Sequence, residues 1–96
     1  MKYILEFTPK AKNEFINAYR WYEDQKSGLG DTFWKEVYKF IRLILENPEH
    51  YPIKEKQLRE IVLNKFPFLI VFQIHKRTQK IYIASIFHTK RNPKFK

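Results

Sequence analysis

Hydrophobic positions follow two different rhythms along this chain, helical spacing in the first half and strand-like runs in the second. Tyr3 to Thr8 alternates loosely and predicts a short first strand. Thr8-Pro9 then reads as a helix start: threonine is a good N-cap, and proline at the first helical position lacks an N–H that would be unpaired anyway. Ala11, Phe15, Ala18 and Tyr22 fall on one helical face, widened by Ile16 and Tyr19. Ser27-Gly28-Leu29-Gly30 contains both glycines of the protein and predicts a turn, with a second helix capped by Asp31. Its stripe is Phe33, Val37, Phe40 and Ile44, flanked by Trp34, Tyr38, Ile41 and Leu45, so it should be covered on more than one side. Asn47-Pro48 ends it, because the residue before proline is pushed out of the α region.

Glu49 to Lys56, with Pro52, predicts a loop. From Gln57 to Asn64 the pattern alternates as in a strand, Leu58, Glu60 and Val62 on one side and Arg59, Ile61 and Leu63 on the other. After the bend Lys65-Phe66-Pro67, the runs Phe66–His75 and Lys80–His88, joined by Lys76-Arg77-Thr78-Gln79, predict a β-hairpin rich in β-branched and aromatic residues. The expected fold is therefore α+β in the order β-α-α-β-β-β, a helical hairpin packed on an antiparallel sheet whose central strand is Phe68 to His75. That strand is apolar at successive positions, so both faces need cover. The helices supply one; for the other a partner protein is favoured over the chain's own loops and tail.

Residues 1–96 are enough for one domain and not for two cores. Cysteine is absent, which excludes disulfides and thiolate metal sites and suits a reducing cytoplasm. The opening Met1-Lys2-Tyr3-Ile4-Leu5-Glu6 meets an acid too soon for a signal peptide, and no apolar stretch approaches the ~20 residues of a membrane span. A soluble, cytoplasmic protein is expected. The formal charge of +9 points to an anionic partner, whether nucleic acid, acidic protein or membrane surface. It is concentrated at the end, where Lys90, Arg91, Lys94 and Lys96 follow the last strand without an acid among them.

Candidate chemistry is sparse. His50, His75 and His88 are far apart and no glycine-rich phosphate loop exists, so a metal, nucleotide or glycosidase site is not expected. Glu14, Glu23, Asp24, Glu36 and Glu46 are assigned to solvated helix faces. What stands out is a basic set around the sheet: Arg59, His88, Lys90 and Arg91, with Lys54 and Lys56 before the second strand. Metal-free RNA cleavage needs cations to stabilise a charged transition state and a group such as histidine to move protons, and Arg59 and His88 are the residues to supply them. A structural ion pair for Arg59 and a sheet-edge role for His88 are the alternatives.

Several features in order resemble one family: the helix with Ala11, Phe15, Ala18 and Trp21-Tyr22; Asn47-Pro48-Glu49-His50-Tyr51-Pro52; Leu58-Arg59; Phe66 to Phe72; and Phe87, His88, Arg91, Asn92, Pro93. Together, over nearly the whole chain, they resemble the RelE/ParE superfamily, the toxins of type II toxin–antitoxin modules. The resemblance implies a cognate antitoxin as the partner covering the apolar sheet, and no cofactor or metal. RelE-like members cut mRNA on the ribosome, whereas ParE-like members poison DNA gyrase. RelE-like toxins usually carry an arginine where this chain has Phe68-Leu69, and this tail ends in Phe95-Lys96 without a tyrosine. The ending His88-x-x-Arg91 before a proline is closer to ParE-like and plasmid-stabilisation members, although Thr89 and Asn92 replace their commoner glycine and aspartate. The implied function is a ParE-like toxin acting on gyrase, with Arg59, His88, Lys90, Arg91 and Lys94 binding target or antitoxin. A RelE-like mRNA endonuclease using Arg59, His88 and Arg91, and a non-catalytic RNA-binding module, are the alternatives.

Overall fold

A computed structural model describes residues 2–90 of the chain. Strand β1 (Ile4–Phe7) leads into helices α1 (Pro9–Gln25) and α2 (Leu29–Glu46). A single 3₁₀ turn (Pro48–His50) then precedes β2 (Ile53–Glu55), β3 (Leu58–Val62), β4 (Phe68–His75) and β5 (Lys80–His88). The five strands form one sheet in the order β1-β5-β4-β3-β2, with β4 in the middle as expected.

Two features of the sheet differ from the sequence reading. It is mixed, because β1 runs parallel to β5 while the other pairs are antiparallel. It also has an extra edge strand, β2, in the segment expected to be a loop. The β2–β3 turn holds Lys56 and Gln57 at φ +51° and +65°. Both signs match a type I′ hairpin turn, but the Asn-Gly that usually announces one is missing.

The core lies between the helices and one face of the sheet. Phe33, fully buried, is at its centre: its ring lies 5.9 Å from Phe15, 5.2 Å from Tyr22, 5.2 Å from Phe66 and 4.9 Å from Phe68. Ile70, Phe72, Ile81, Ile83 and Ile86 complete the sheet's contribution. On the opposite face Leu69, Val71 and Phe87 form a small second cluster with Leu58 and Ala84 against it. Those three side chains are 1–3% exposed, so the apolar part of β4's second face, Leu69 and Val71, is already buried within the chain.

Three helix acids expected at solvated positions instead fasten one element to another. Glu36 is 4% exposed and accepts from the backbone N–H groups of Asn64 and Lys65, both at 3.1 Å, fixing the β3–β4 turn. Glu23 accepts from the N–H groups of Gly28 and Gly30, both at 2.9 Å. That carboxylate, and not Asp31, caps α2, which is why the helix starts at Leu29, two residues earlier than the sequence suggests. It also explains Gly30, since a Cβ there would come within 2.8 Å of Glu23 Oε1 and of the Tyr19 carbonyl. Glu14 binds the sheet and is described with the site below.

Truncating β4 should be costly: Phe72→Ala or Ile70→Ala is expected to lose about 2–5 kcal/mol in urea unfolding. Glu36→Ala, which strands two backbone donors, should lose about 1–3 kcal/mol. Near-neutral behaviour of Glu36→Ala would mean that water replaces the carboxylate without loss.

Candidate functional site

The end of β5 is shaped by a bulge. Val71 pairs with Ser85 and Phe72 with Ile83, so Ala84 is the extra residue. The start of α1 is fastened to this irregularity. Thr8 caps the helix by accepting from Ala11 N–H at 3.1 Å, as its sequence position suggests, and donates its hydroxyl to the Ala84 carbonyl at 3.0 Å. Glu14 Oε1 accepts from the Ser85 hydroxyl at 2.7 Å and from Ile86 N–H at 2.9 Å. Lys10 lies 3.6 Å from the same carboxylate, one helical turn away.

Because β1 stops at Phe7, opposite Ile83, residues 84–88 run on without a paired strand on that side among the described residues. Between this free edge and α1 opens a groove of about 470 Å³, lined by Glu14, Asn17, Trp21, Phe68, Ile86 and His88 among others. Trp21 is 49% exposed there. The His88 ring stands edge-on to Phe68 at 5.2 Å, and its Nδ1 accepts from Lys90 N–H at 3.1 Å. That bond places the proton of a neutral ring on Nε2, facing away from the backbone.

The other proposed site residues do not all meet here. Arg59 pairs with Phe72 and His88 with Phe68, so the two are two strands apart and offset by four positions along β4. Standard strand spacings put them roughly 16 Å apart. The Arg59 guanidinium donates to the Tyr51 carbonyl at 2.6 Å and to that of Glu49 at 3.4 Å, holding the 3₁₀ turn against β3. Lys54 and Lys56 lie at that same far edge, on and just after β2. Lys90 follows β5 beside His88; Arg91 and Lys94 lie outside the described residues. Near Arg59, Lys76 bridges Glu49 across to the β4–β5 turn. Its hydrogen bond and charge hold the Glu49 carboxyl below its ordinary range, and Lys76 is raised in return. Among the described residues no group of three or more His, Asp or Glu side chains could hold a metal ion.

A second opening escaped the sequence reading. Trp34, assigned to a covered stripe, is 46% exposed and packs tilted against Tyr38, ring centroids 4.8 Å apart. With Phe15, Ile16, Tyr19, Arg20 and Asp31 it lines a groove of about 500 Å³ between α1 and α2. The hollow beside it adds Phe7, Lys12 and Tyr38. The Tyr19 hydroxyl donates to Asp31 at 2.7 Å, and that bond pushes its pKa up. Periodicity had placed Trp34 and Tyr38 on one stripe; nothing in the spacing said that the sheet would not reach it.

A family model described as the ParE toxin of the type II toxin–antitoxin system parDE matches residues 5–93. The chain belongs to the ParE toxin family. No curated protein matches it. Among solved structures, the toxin fold recurs in the chromosomal ParDE system of P. aeruginosa. That match has a TM-score of 0.77 and 16% identity, covering 91% of this chain and 96% of that one. It recurs also in the intact E. coli RelBE toxin–antitoxin complex, with TM-score 0.67, 21% identity and coverage of 88% and 93%. A free double mutant of E. coli RelE gives TM-score 0.74, 19% identity and coverage of 99% and 92%. This ParE-family chain is thus a toxin of a type II system with the RelE/ParE fold. Among its described residues no helix is long and apolar enough to cross a membrane.

The geometry separates two basic residues that the sequence had grouped. Arg59→Ala should cost about 1–2 kcal/mol in thermal or urea unfolding by freeing two carbonyls. Lys90→Ala should stay within about 0.5 kcal/mol of the unmodified protein. Equal, negligible effects would mean that the Arg59 bonds contribute nothing in solution.

Proposed function

We propose that this ParE-family toxin acts in the cytoplasm as a single domain on DNA gyrase, without cofactor, and is neutralised by a cognate antitoxin. The observation that carries the choice of target is the apolar pair Phe68-Leu69, 3% and 1% exposed, at the positions where the RelE-like pattern has an arginine. Cleaving RNA without metal needs several cations around the scissile phosphate, and losing one such donor typically costs ~10²–10³ in rate. Here Phe68 is packed under His88, and Arg59 is tied to backbone carbonyls on the far strand. The apolar Phe68-Leu69 and the remote Arg59 together support a binding toxin over a ribosomal nuclease.

For the antitoxin, E. coli RelE has been solved with a peptide of its antitoxin RelB. In this chain the aromatic groove between α1 and α2 is the surface best suited to such a segment. Trp34 and Ile16 supply exposed apolar area, and Lys12 and Arg20 at its rim favour an acidic, amphipathic helix. Acidic residues meeting the rim and the basic tail would steer association, while the aromatic contacts set the slow dissociation.

Purified toxin is expected to inhibit gyrase supercoiling and to leave mRNA intact on translating ribosomes. Arg91→Ala should abolish toxicity with the fold unchanged by circular dichroism. Codon-positioned mRNA cleavage that disappears in His88→Ala would overturn the gyrase reading in favour of the nuclease. Trp34→Ala should weaken antitoxin binding at least ~10-fold, as loss of an interface anchor does.

A further inference from the structure

We infer that the outer face of α2, with the β3–β4 turn, is a docking surface for the phosphate backbone of duplex DNA. Lys35, Lys39 and Arg42 are exposed at spacings of four and three residues, on one side of the helix. Lys65, exposed on the turn, shares a surface hollow with Lys35, Lys39 and Thr32. The described ion pairs, Lys10–Glu14, Lys76–Glu49 and Lys80–Glu6, use none of these four cations. The Lys39 ammonium lies 5.8 Å from the Phe40 ring centroid.

The acids that might have neutralised this face are engaged elsewhere or lie at its ends. Glu36 also lines the hollow, but it is 4% exposed and its carboxylate is turned onto Asn64 and Lys65 N–H. The same bonds fix the turn that carries Lys65, so the four cations are presented on a preformed surface. Asp31, toward the start of α2, takes the Tyr19 hydroxyl on the α1 side. Glu46 ends the helix one turn beyond Arg42. Like charges at such spacing repel one another unless an anion meets them.

The composition of the patch selects the anion. Protein interfaces are depleted in lysine and anchored by aromatic side chains, and single-stranded nucleic acid is bound on stacking aromatics. Both exposed tryptophans open elsewhere, Trp21 beside His88 and Trp34 in the α1–α2 groove. Phe40 is buried, and the exposed large apolar side chain between Lys39 and the end of α2 is the aliphatic Leu43, 39% exposed. A rigid row of cations about 10 Å long fits a dense line of phosphates, and duplex DNA carries one charge per ~1.7 Å of its axis. This inference does not depend on gyrase being the target.

The test is fluorescence anisotropy of the full chain with a labelled duplex of about 20 bp, titrated at several salt concentrations. Lys35→Gln/Lys39→Gln should weaken binding at least ~10-fold at low salt and reduce the log–log salt slope by about 2, roughly 0.9 per phosphate contact. Lys35→Arg/Lys39→Arg should keep both. Lys2→Gln/Lys80→Gln makes the same charge change at the β1 side of the sheet and should leave the slope unaltered. Equal losses from both glutamine pairs would overturn the inference, leaving only net charge or the basic tail as the cause. Tighter binding to the single strand, or binding of poly-glutamate but not DNA, would overturn it in favour of another partner. Thermal melts by circular dichroism confirm that each variant is folded.

Discussion

Three helix carboxylates hold the elements of this protein in register, two of them across the layers and one between the helices. Glu14 takes a hydroxyl and an N–H from the β5 bulge, Glu23 takes two N–H groups at the start of α2, and Glu36 takes two more from the β3–β4 turn. In each case the donors sit where regular structure leaves them unpaired: a bulge, a helix start, a turn. An unpaired backbone donor is costly to bury, and a hydrogen bond to a charged acceptor is among the stronger ones available. Removing these contacts would loosen α1 from the sheet, α2 from α1 and the turn from α2.

The same arrangement shapes the electrostatics. An already basic chain spends three of its ten acids on its own backbone, leaving much of the outward charge to lysine and arginine. The cationic faces are a consequence of how the fold is fastened. Along α2, the inward Glu36 and the outward Lys35 and Lys39 are neighbours in sequence and opposite in role.

The bulge at Ala84 also decides what the end of β5 can do. It breaks the alternation of the strand and turns Ser85 toward α1, just where β1 ends and residues 84–88 run past it. Trp21 and His88 line the same groove beside it. His88 lines this open groove, while Arg59 is occupied in bracing the 3₁₀ turn two strands away. The basic residues form two separate ends of the sheet.

The sequence by itself determined the element order, because 3.6-residue and alternating patterns follow directly from which side chains must leave water. It located the Thr8 cap, the hairpin of β4 and β5 and the central place of β4, and its ordered motifs identified the superfamily. It did not reveal β2, since the turn at Lys56-Gln57 lacks the residues that usually permit positive φ. It misplaced Glu14, Glu23 and Glu36, because a carboxylate on an outer helical position looks solvated until the strand or turn opposite it is known. Only tertiary structure decided that Leu69, Val71 and Phe87 are buried, that Trp34 is open, and that Arg59 and His88 lie apart. Periodicity fixes the direction a side chain takes from its own element, whereas its neighbours are set by how distant segments of the chain pack.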